Sequence, residues 1–448
     1  MLWNILFFVV AILILVSFHE WGHYLIARLF KVKIITFSVG FGQKLIKWRN
    51  KKDTEFVISA IPLGGFVRMA GSQEKDSNNL PIELKEGERY YDTLPPIKRI
   101  AISLAGPLFN FILAYLLYAL IFTHPIAQQD LHFNEVVPDS IAANAGIPSG
   151  ITITAFDGKS FETLREFRLY LYRFAGQSST VNLEYEYNGE LKSGQLYIDQ
   201  LDVQSAVSVI SQLGLIQTDV GYQVFAQTIN PGAAHIAGMQ AGDRWIKING
   251  VPITSDAQWR MAIAQGDSID WTVLRDGDEI DLILRPKRDE TKKHSPYLIG
   301  VQVQSNALEY SHIIEQNLTI FESALYSFKY TWEMIKFNVI SIVKLIKGDL
   351  GLDNLGGPGT MANASGSAAK SGFLSFLSLL GILSISLGVI NLLPIPMLDG
   401  GNVLFDTIEL IRRKPLSESW QIRFKKIGLL IVVSVMAVAI TNDLFRYL

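Results

Sequence analysis

The sequence from Leu2 to Leu29 is LWNILFFVVAILILVSFHEWGHYLIARL. Residues 2–18 are almost all apolar, and about 20 such residues in a helix cross the hydrocarbon core of a bilayer. The helical pattern then continues through the polar pentapeptide HEWGH at residues 19–23. No basic segment precedes the apolar run and no small-residue cleavage site follows it. The sequence therefore predicts a permanent membrane span rather than a signal peptide.

Three later segments have a similar apolar character. They cover residues 100–122, 373–393 and 427–440, and the last of them is shorter than a usual span. A further stretch, residues 314–346, has apolar residues at helical spacing but carries charged residues such as Glu322 and Lys336. It predicts amphipathic helices that lie along the membrane surface or against the bundle.

The composition of the chain agrees with a mixture of membrane spans and soluble modules. Of its 448 residues, 49% are hydrophobic and 18% are charged, and the mean hydropathy is +0.24. This balance is too apolar for a typical soluble protein and too charged for a bare helical bundle. The net charge of −2 gives no reason to expect nucleic acid as a partner. Without cysteine, the chain forms no disulfide and must bind any metal through histidine or carboxylate groups.

Basic residues predict how the chain is oriented in a membrane. Many lysines and arginines lie between the first and second predicted spans, and a second group lies between Arg412 and Lys426. Because loops rich in lysine and arginine stay in the cytoplasm, both loops are predicted to be cytoplasmic. The N-terminus, the stretch between the second and third spans and the C-terminus then lie outside.

The predicted outer stretch contains an internal repeat. The sequence AGIPSGITITAFDG at residues 145–158 returns at residues 237–250 as AGMQAGDRWIKING. Glycines around a short strand, followed by an Asp-Gly or Asn-Gly turn, predict a small β-rich module. The repeat resembles the PDZ domain, which binds peptides as an added strand at a sheet edge. A scaffold or size filter without a bound ligand is an equal alternative. Ile151 stands where the second copy has Asp243, so the two grooves are expected to differ.

The HEWGH pentapeptide predicts a metal site. His19 and His23 stand four residues apart, so on a helix both imidazoles share one face and can reach a single zinc ion. Glu20 then lies beside the metal, where it can take a proton from the attacking water. Ionisable side chains inside a span are costly and indicate function. The alternative is that these groups cap the cytoplasmic end of the first span and face water.

A third ligand is needed, because catalytic zinc usually has three protein ligands. No third histidine follows at the spacing of the metzincins. A carboxylate is available at Asp399, within NLLPIPMLDGG at residues 391–401, whose two prolines break the third span. Irregular backbone at membrane depth is tolerated where it lines a cavity. On its own, Asp399 would be interpreted as a turn residue. With HEWGH on the same side of the membrane, it is the predicted third ligand.

These features together resemble the site-2 protease family of M50-type intramembrane zinc metalloproteases. The resemblance rests on HEWGH in a first span, NxxPxPxLDGG after a later one and tandem PDZ modules between them, and it covers nearly the whole chain. It implies that His19, His23 and Asp399 bind Zn²⁺ and that Glu20 activates water. It further implies that Asn391 holds the substrate backbone near the metal.

The resemblance also suggests a role for residues 33–70, which alternate like strands between glycine-rich breaks. In the family, such a stretch forms a β-hairpin-like loop that dips into the membrane and holds unwound substrate as an added strand. A cytoplasmic hairpin without a substrate role is the alternative. Residues 351–372, rich in glycine and other small residues, predict a flexible or tightly packed approach to the third span.

The family resemblance implies a bacterial inner-membrane enzyme with periplasmic PDZ domains. Its substrates would be a membrane-bound anti-sigma factor already cut once and, as a second class, remnant signal peptides. The chemistry would be zinc-assisted peptide hydrolysis in which Glu20 passes a proton to the leaving amine. A membrane-anchored PDZ adaptor is a competing function, but it has no use for the metal set. A transporter is disfavoured because the sequence shows no inverted repeat of broken helices.

The predicted fold is a polytopic α-helical membrane protein with about four transmembrane helices, a membrane-dipping β-loop and two tandem extracytoplasmic PDZ domains of α+β type. The predicted divisions are residues 1–30 (first span), 31–99 (β-loop region), 100–124 (second span), 127–218 and 219–308 (PDZ domains), 309–371 (amphipathic helices and small-residue linker), 372–401 (third span with the LDG motif), 402–426 (cytoplasmic loop) and 427–448 (fourth span). Membrane lipid surrounds the spans.

Overall fold

The computed structural model describes residues 2–51, 53–74, 80–199, 201, 208–217, 223–253, 256–287, 298–306, 313–348, 350–352, 355–414 and 416–447. The chain divides into two compact units. The helical unit comprises Met1–His124, Asn317–Val343 and Gly351–Leu448, and the β unit comprises Pro125–Gln316 and Lys344–Leu350.

The helices are named in chain order. They are α1 (Leu2–Leu29), α2 (Pro96–Ile121), α3 (Ile141–Asn144), α4 (Leu164–Leu171), α5 (Val209–Gln212), α6 (Ala233–Ile236), α7 (Asp256–Gln265), α8 (Ile320–Lys347), α9 (Pro358–Lys370), α10 (Phe373–Asn391), α11 (Asp399–Arg412) and α12 (Glu418–Tyr447).

The strands are named in the same way. They are β1 (Ile34–Arg49), β2 (Glu55–Met69), β3 (Ile126–Gln129), β4 (His132–Phe133), β5 (Glu135–Val136), β6 (Ile151–Phe156), β7 (Ser179–Tyr187), β8 (Glu190–Ile198), β9 (Leu215–Ile216), β10 (Gln223–Ile229), β11 (Arg244–Ile248), β12 (Val251–Pro252), β13 (Ile269–Arg275), β14 (Asp278–Leu284), β15 (Val301–Asn306) and β16 (Ile313–Gln316).

Within the described part of the chain, four helices are long and apolar enough to cross a membrane. They are α1, α2, α10 and the segment Ser419–Leu444 of α12. The prediction of four apolar spans is therefore confirmed. The fourth helix is longer than the predicted 427–440, because α12 continues through the charged residues Arg423 and Lys426. Its outward face carries exposed apolar side chains such as Leu430, as expected of a helix that faces lipid.

Helices α1, α2 and α10 share an apolar core that contains buried Leu15, Leu113 and Leu380. The close approach of α1 to α2 requires a glycine, since a Cβ at Gly22 would overlap the carbonyl oxygen of Ala105. Small residues of this kind allow helix backbones to meet within a membrane. The contact brings the turn that carries HEWGH against the middle of α2.

Strands β1 and β2 form the antiparallel pair predicted within residues 33–70, and the pair bends back on itself. Val39 is paired with Gly65 and also with Ile58. The first part of β1 thus has a neighbour on each side, and residues 65–69 of β2 lie at an edge of this sheet among the described residues. Aromatic contacts of Trp21 and Tyr24 with Phe37 hold the sheet on α1.

Residues 314–346 differ from the predicted amphipathic helices. Strand β16 ends at Gln316, and one long helix, α8, begins at Ile320 and continues to Lys347. Its start is fixed by a reciprocal capping pair: Thr319 N–H donates to the Glu322 carboxylate at 2.9 Å, and Glu322 N–H donates to the Thr319 hydroxyl. This local capping, which the apolar spacing does not reveal, sets the boundary.

The small-residue segment 351–372 contains helix α9, which is tightly packed. Gly366 leaves room for Asn4 of α1, whose side chain a Cβ would overlap. The N-terminus of α9 is capped from α12, because Gly357 N–H and Gly359 N–H donate to the Asp443 carboxylate at 3.1 and 2.7 Å. A carboxylate satisfies the unpaired amide groups at the start of a helix.

The β unit contains two modules, each with its own core. The first has the sheet order β4-β6-β7-β8 and buries Phe156 and Phe167. The second has the order β14-β13-β11-β10-β15, with β12 beside β11, and buries Trp245 and Trp271. These sheets agree with the predicted β-rich modules, while their assignment as PDZ domains stays a prediction.

The two copies of the sequence repeat occupy matching places in these modules. Strands β6 and β11 are each followed by a two-residue turn with positive φ at both residues, 52° and 70° at Asp157 and Gly158 and 51° and 77° at Asn249 and Gly250. Asparagine, aspartate and glycine are the residues that such a turn prefers. The copies differ where predicted, because Ile151 is buried in an apolar core whereas Asp243 accepts two hydrogen bonds from Arg275, both of 2.7 Å.

Candidate metal centre

A cavity of about 770 Å³ lies within the helical unit. Its wall combines parts of α1, the β1–β2 sheet, α2, α10, α11 and α12. The five predicted site residues all line it, namely His19, Glu20, His23, Asn391 and Asp399. The fold thus brings two motifs from opposite ends of the sequence into one space.

His19 and His23 lie one turn apart on α1, and both are buried. Their Nε2 atoms are 3.2 Å apart. The shared face follows from the i, i+4 spacing, because residues four apart on a helix lie one above the other. Both imidazoles therefore point at the same position, as predicted from HEWGH.

Asp399 is the first residue of α11 rather than part of a surface turn. Its Oδ2 lies 3.1 Å from His19 Nε2 and 3.4 Å from His23 Nε2. The following glycines allow this position, because a Cβ at Gly400 or Gly401 would overlap backbone carbonyl oxygens of the segment between α10 and α11. The first turn of α11 can therefore pack closely on that segment and hold Asp399 beside the histidines.

These three donor atoms fit a tetrahedral metal ion. Zinc bonds to nitrogen and oxygen of about 2.0–2.1 Å correspond to distances of about 3.3 Å between ligands. The observed separations of 3.1, 3.2 and 3.4 Å agree with that value. Asp399 Oδ2 is buried without a hydrogen-bond partner among the described residues, and a metal would satisfy it. Two imidazoles and one carboxylate also leave a fourth position for water or substrate.

Contacts behind the histidines orient the two rings. His23 Nδ1 lies 2.8 Å from the carbonyl oxygen of Ile102, so Nδ1–H donates there and Nε2 remains free for a metal. His19 Nδ1 lies 3.1 Å from the Asn110 side-chain nitrogen, and Asn110 Oδ1 is buried without a partner in the described structure. An amide turned by 180° presents Oδ1 to His19 Nδ1–H instead, which gives both rings the same tautomer.

Glycine at position 106 of α2 makes room for the two rings. A Cβ at Gly106 would overlap His23 Nε2 and would lie 2.7 Å from His19 Cε1. Gly106 and Asn110 therefore shape the histidine side of the centre, and neither residue was predicted from the sequence. An asparagine inside an apolar span is the feature that could have pointed to them, since polar groups at membrane depth are costly.

Glu20 connects the donor cluster with strand β2. It is buried, with 7% of the residue exposed, and its carboxylate accepts a backbone hydrogen bond from Val67. Gly65 allows this approach, because a Cβ there would lie 2.9 Å from Glu20 Cγ. The edge segment of β2 and a buried carboxylate thus share one cavity wall.

Asn391 is the last residue of α10 and faces the same cavity. The break that follows it carries Met397, whose φ of 90° is unusual for a residue with a side chain. Met397 also lines the cavity. The predicted irregular backbone after the third span is therefore present, and it borders the candidate metal centre.

Comparisons with known proteins give the family of the chain. The family model described as Peptidase family M50 matches residues 7–435. A Vibrio cholerae protein named "Putative zinc metalloprotease" is 34% identical over 99% of each chain. The regulator of sigma-E protease of Escherichia coli is 31% identical, and that of Salmonella typhimurium is 32% identical, again over 99% of each chain. The family and these names indicate a metallopeptidase that depends on zinc.

Proposed function

Since the chain belongs to Peptidase family M50, the site-2 protease family, we propose that it is a zinc endopeptidase that cuts transmembrane segments of other membrane proteins. One observation carries the proposal. Two buried histidines and a carboxylate converge within 3.1–3.4 Å beside a second buried carboxylate, in a cavity lined by helices apolar enough to span a membrane.

His19, His23 and Asp399 are the proposed zinc ligands. When bound, zinc supplies a Lewis acid that polarises the scissile carbonyl and lowers the pKa of water to about 7. The protein's part is to hold three donors at tetrahedral spacing in a site largely shielded from solvent. The backbone and side-chain contacts of the two imidazoles fix their orientation, which strengthens ligation.

Glu20 is the proposed general base and acid. It takes a proton from the attacking water and passes it to the leaving amine. Its buried position next to the donor cluster supports this role, and the hydrogen bond from Val67 holds the carboxylate in place. A proton carrier must lie within hydrogen-bond reach of the reacting water, and Glu20 lies in the same cavity as the three donors.

Substrate is proposed to bind along β2 and at Asn391. A transmembrane helix hides its peptide bonds, because every amide is bonded within the helix, so the scissile bond is exposed only after unwinding. Residues 65–69 of β2 lie at an edge of the sheet among the described residues, where an unwound segment can add as a strand, and five β2 residues between 64 and 69 line the cavity. Asn391, which lines the same cavity, would hold the substrate backbone near the metal.

The proposed substrates are membrane proteins that have already lost their outer domain. The relatives named regulator of sigma-E protease support an anti-sigma factor as one substrate. Remnant signal peptides are proposed as a second class from the family resemblance alone. The two β modules are proposed to be PDZ domains that bind peptides or exclude bulky domains. The basic loops support an inner-membrane location with these modules in the periplasm.

The test is zinc content of the detergent-purified protein, measured with cleavage of a model transmembrane substrate in the same samples. We expect about one zinc per chain in the native protein, and loss of zinc together with cleavage in His23→Ala and Asp399→Ala. Full zinc retention in Asp399→Ala would mean that the third ligand lies elsewhere. Absence of both zinc and cleavage in the native protein would favour a membrane-anchored adaptor.

A further inference from the structure

A second buried cluster of charges joins α2 to α11. Arg99 of α2 lies 3.2 Å from Asp406 and 2.7 Å from Glu409 of α11. The side chains of Arg99 and Asp406 are only 13% and 11% exposed. Removing such charges from water costs about as much free energy as their attraction returns, so a buried group of this kind contributes little net stability. In some proteins such a group fixes one arrangement of two packed elements.

The charge cluster and the metal centre lie the same number of residues apart along both helices. Along α2, Gly106 follows Arg99 by seven residues, and along α11, Asp406 follows Asp399 by seven. Seven residues of helix make about two turns and rise about 10.5 Å. Gly106 and Asp399 both contact the imidazoles, so the helices run antiparallel and meet again at the charge cluster two turns away.

The aspartate ligand needs such an anchor. It follows a segment broken by two prolines, and its Oδ2 has no hydrogen-bond donor among the described residues. Gly400 and Gly401 permit close packing but offer no side chain that could fix the helix. Asp399 and Asp406 lie on the same face of α11, because seven residues return to nearly the same angle. A cation that holds Asp406 therefore also holds the face that presents Asp399.

We propose that Arg99 is a positioning residue of the metal centre, which acts through Asp406 and Glu409 to fix α11 on α2 and to keep Asp399 within reach of His19 and His23. The identity of the bound metal rests on the proposed function. The docking of α11 on α2 does not rest on it, and the two can be tested apart.

The docking test uses metal-free protein. The chain has no cysteine, so cysteines introduced at Ile97 on α2 and Ile411 on α11, which are 59% and 76% exposed, can carry spin labels. We expect one narrow distance distribution, which Arg99→Met broadens and Arg99→Lys partly restores. Arg412→Met is the control: it removes an exposed cation from α11 and should leave the distance distribution unchanged. An unchanged distribution in Arg99→Met would overturn the proposal.

The ligation test measures the rate at which zinc is lost to a chelator, and it determines kcat and KM separately. Arg99→Met should lose zinc about 10–100-fold faster and show a lower kcat, the range expected for residues that orient metal ligands. Glu409→Gln should have a smaller effect, and it should add little in the Arg99→Met background because the two residues act as a pair. A purely structural role would lower the yield of folded protein but leave zinc per folded chain and kcat unchanged.

The variants keep the two proposals distinguishable. If Arg99→Met fails to fold, two milder variants allow the same comparison. Arg99→Lys keeps the positive charge, and Glu409→Gln keeps the size of the side chain. If the native protein binds no zinc and cuts nothing, the proposed function fails, while the spin-label distances still decide whether Arg99 fixes α11.

Discussion

His19 and His23 lie one turn apart on α1, whereas Asp399 comes from the start of another helix far along the sequence. The positions of the two histidines are fixed by their spacing of four residues on one helix and by contacts to Ile102 and Asn110. The aspartate side is fixed by how α11 packs on α2 and on the broken segment before it. Part of the candidate centre therefore forms with local structure, and part forms only with tertiary packing.

The largest expected effect is on the cleavage rate, and it comes from a change at Glu20 that leaves the proposed zinc ligands in place. Glu20→Gln removes the proposed proton carrier but no proposed ligand, so cleavage should fall by about 10²–10⁴-fold while zinc content stays at the native level. Rates with a model transmembrane substrate and zinc per chain would be measured together. Glu190→Gln, on an exposed residue of the β unit, is the control. Native turnover by Glu20→Gln would remove Glu20 from the mechanism.

Replacing one glycine on each side with alanine compares how closely the histidine side and the aspartate side are packed. Gly106→Ala pushes on the imidazoles, and Gly400→Ala pushes on the backbone before α11, so each should cost about 1–3 kcal/mol through overpacking and reduce zinc affinity. Gly71→Ala is the control, because a Cβ there meets nothing closer than 3.8 Å. Zinc affinity would be measured by competition with a chelator. Native affinity in Gly400→Ala would show that the aspartate side tolerates a shift of α11.

The difference between the histidine side and the aspartate side also explains which residues of the site could be predicted from the sequence and which could not. The spacing of HEWGH was enough to place two imidazoles on one face, and four apolar runs were enough to count the spans. Asp399 was found because its motif breaks a span, although its distance from the histidines depends on packing. Gly106, Asn110 and Arg99 were not identified, since their roles arise from contacts between helices that no local period encodes. The start of α8 depends instead on a local cap at Thr319, which the spacing of apolar residues does not show.

A smaller effect is expected at Asn110, which supports the histidine side from α2. Asn110→Ala should weaken zinc binding by about tenfold, because His19 loses a partner at Nδ1 but keeps its place on α1. Asn110→Asp retains an oxygen that accepts the Nδ1 proton and should restore most of the affinity. Equal losses in Asn110→Ala and Asn110→Asp would show that the contact is steric and not a hydrogen bond.

The smallest expected effect is on the pH dependence of folding stability, and it arises from burial of the Asp406 carboxyl on the aspartate side. Burial raises the pKa of Asp406 from 3.8 to about 6, with Glu409 acting in the same direction and Arg99 opposing it. Since the folded state favours the protonated form, this carboxyl contributes stability that is fully present below about pH 4. That stability is lost as the pH rises through about 6. Tyr91 also faces Asp406, but burial raises its pKa to about 12, so it does not titrate in this range.

Asp406→Asn keeps the shape of the side chain and removes this dependence. Between about pH 4 and pH 6.5, metal-free Asp406→Asn should therefore lose less stability than the native protein. The difference should stay below about 3 kcal/mol, since two pKa units set the upper limit and solvent screens part of the charge. Unfolding temperatures in detergent across this range would measure it, and the titration of the histidines cancels because both proteins contain them. Parallel pH profiles would mean that Arg99 compensates the burial of Asp406 fully, and the α2–α11 contact would then carry no net electrostatic cost.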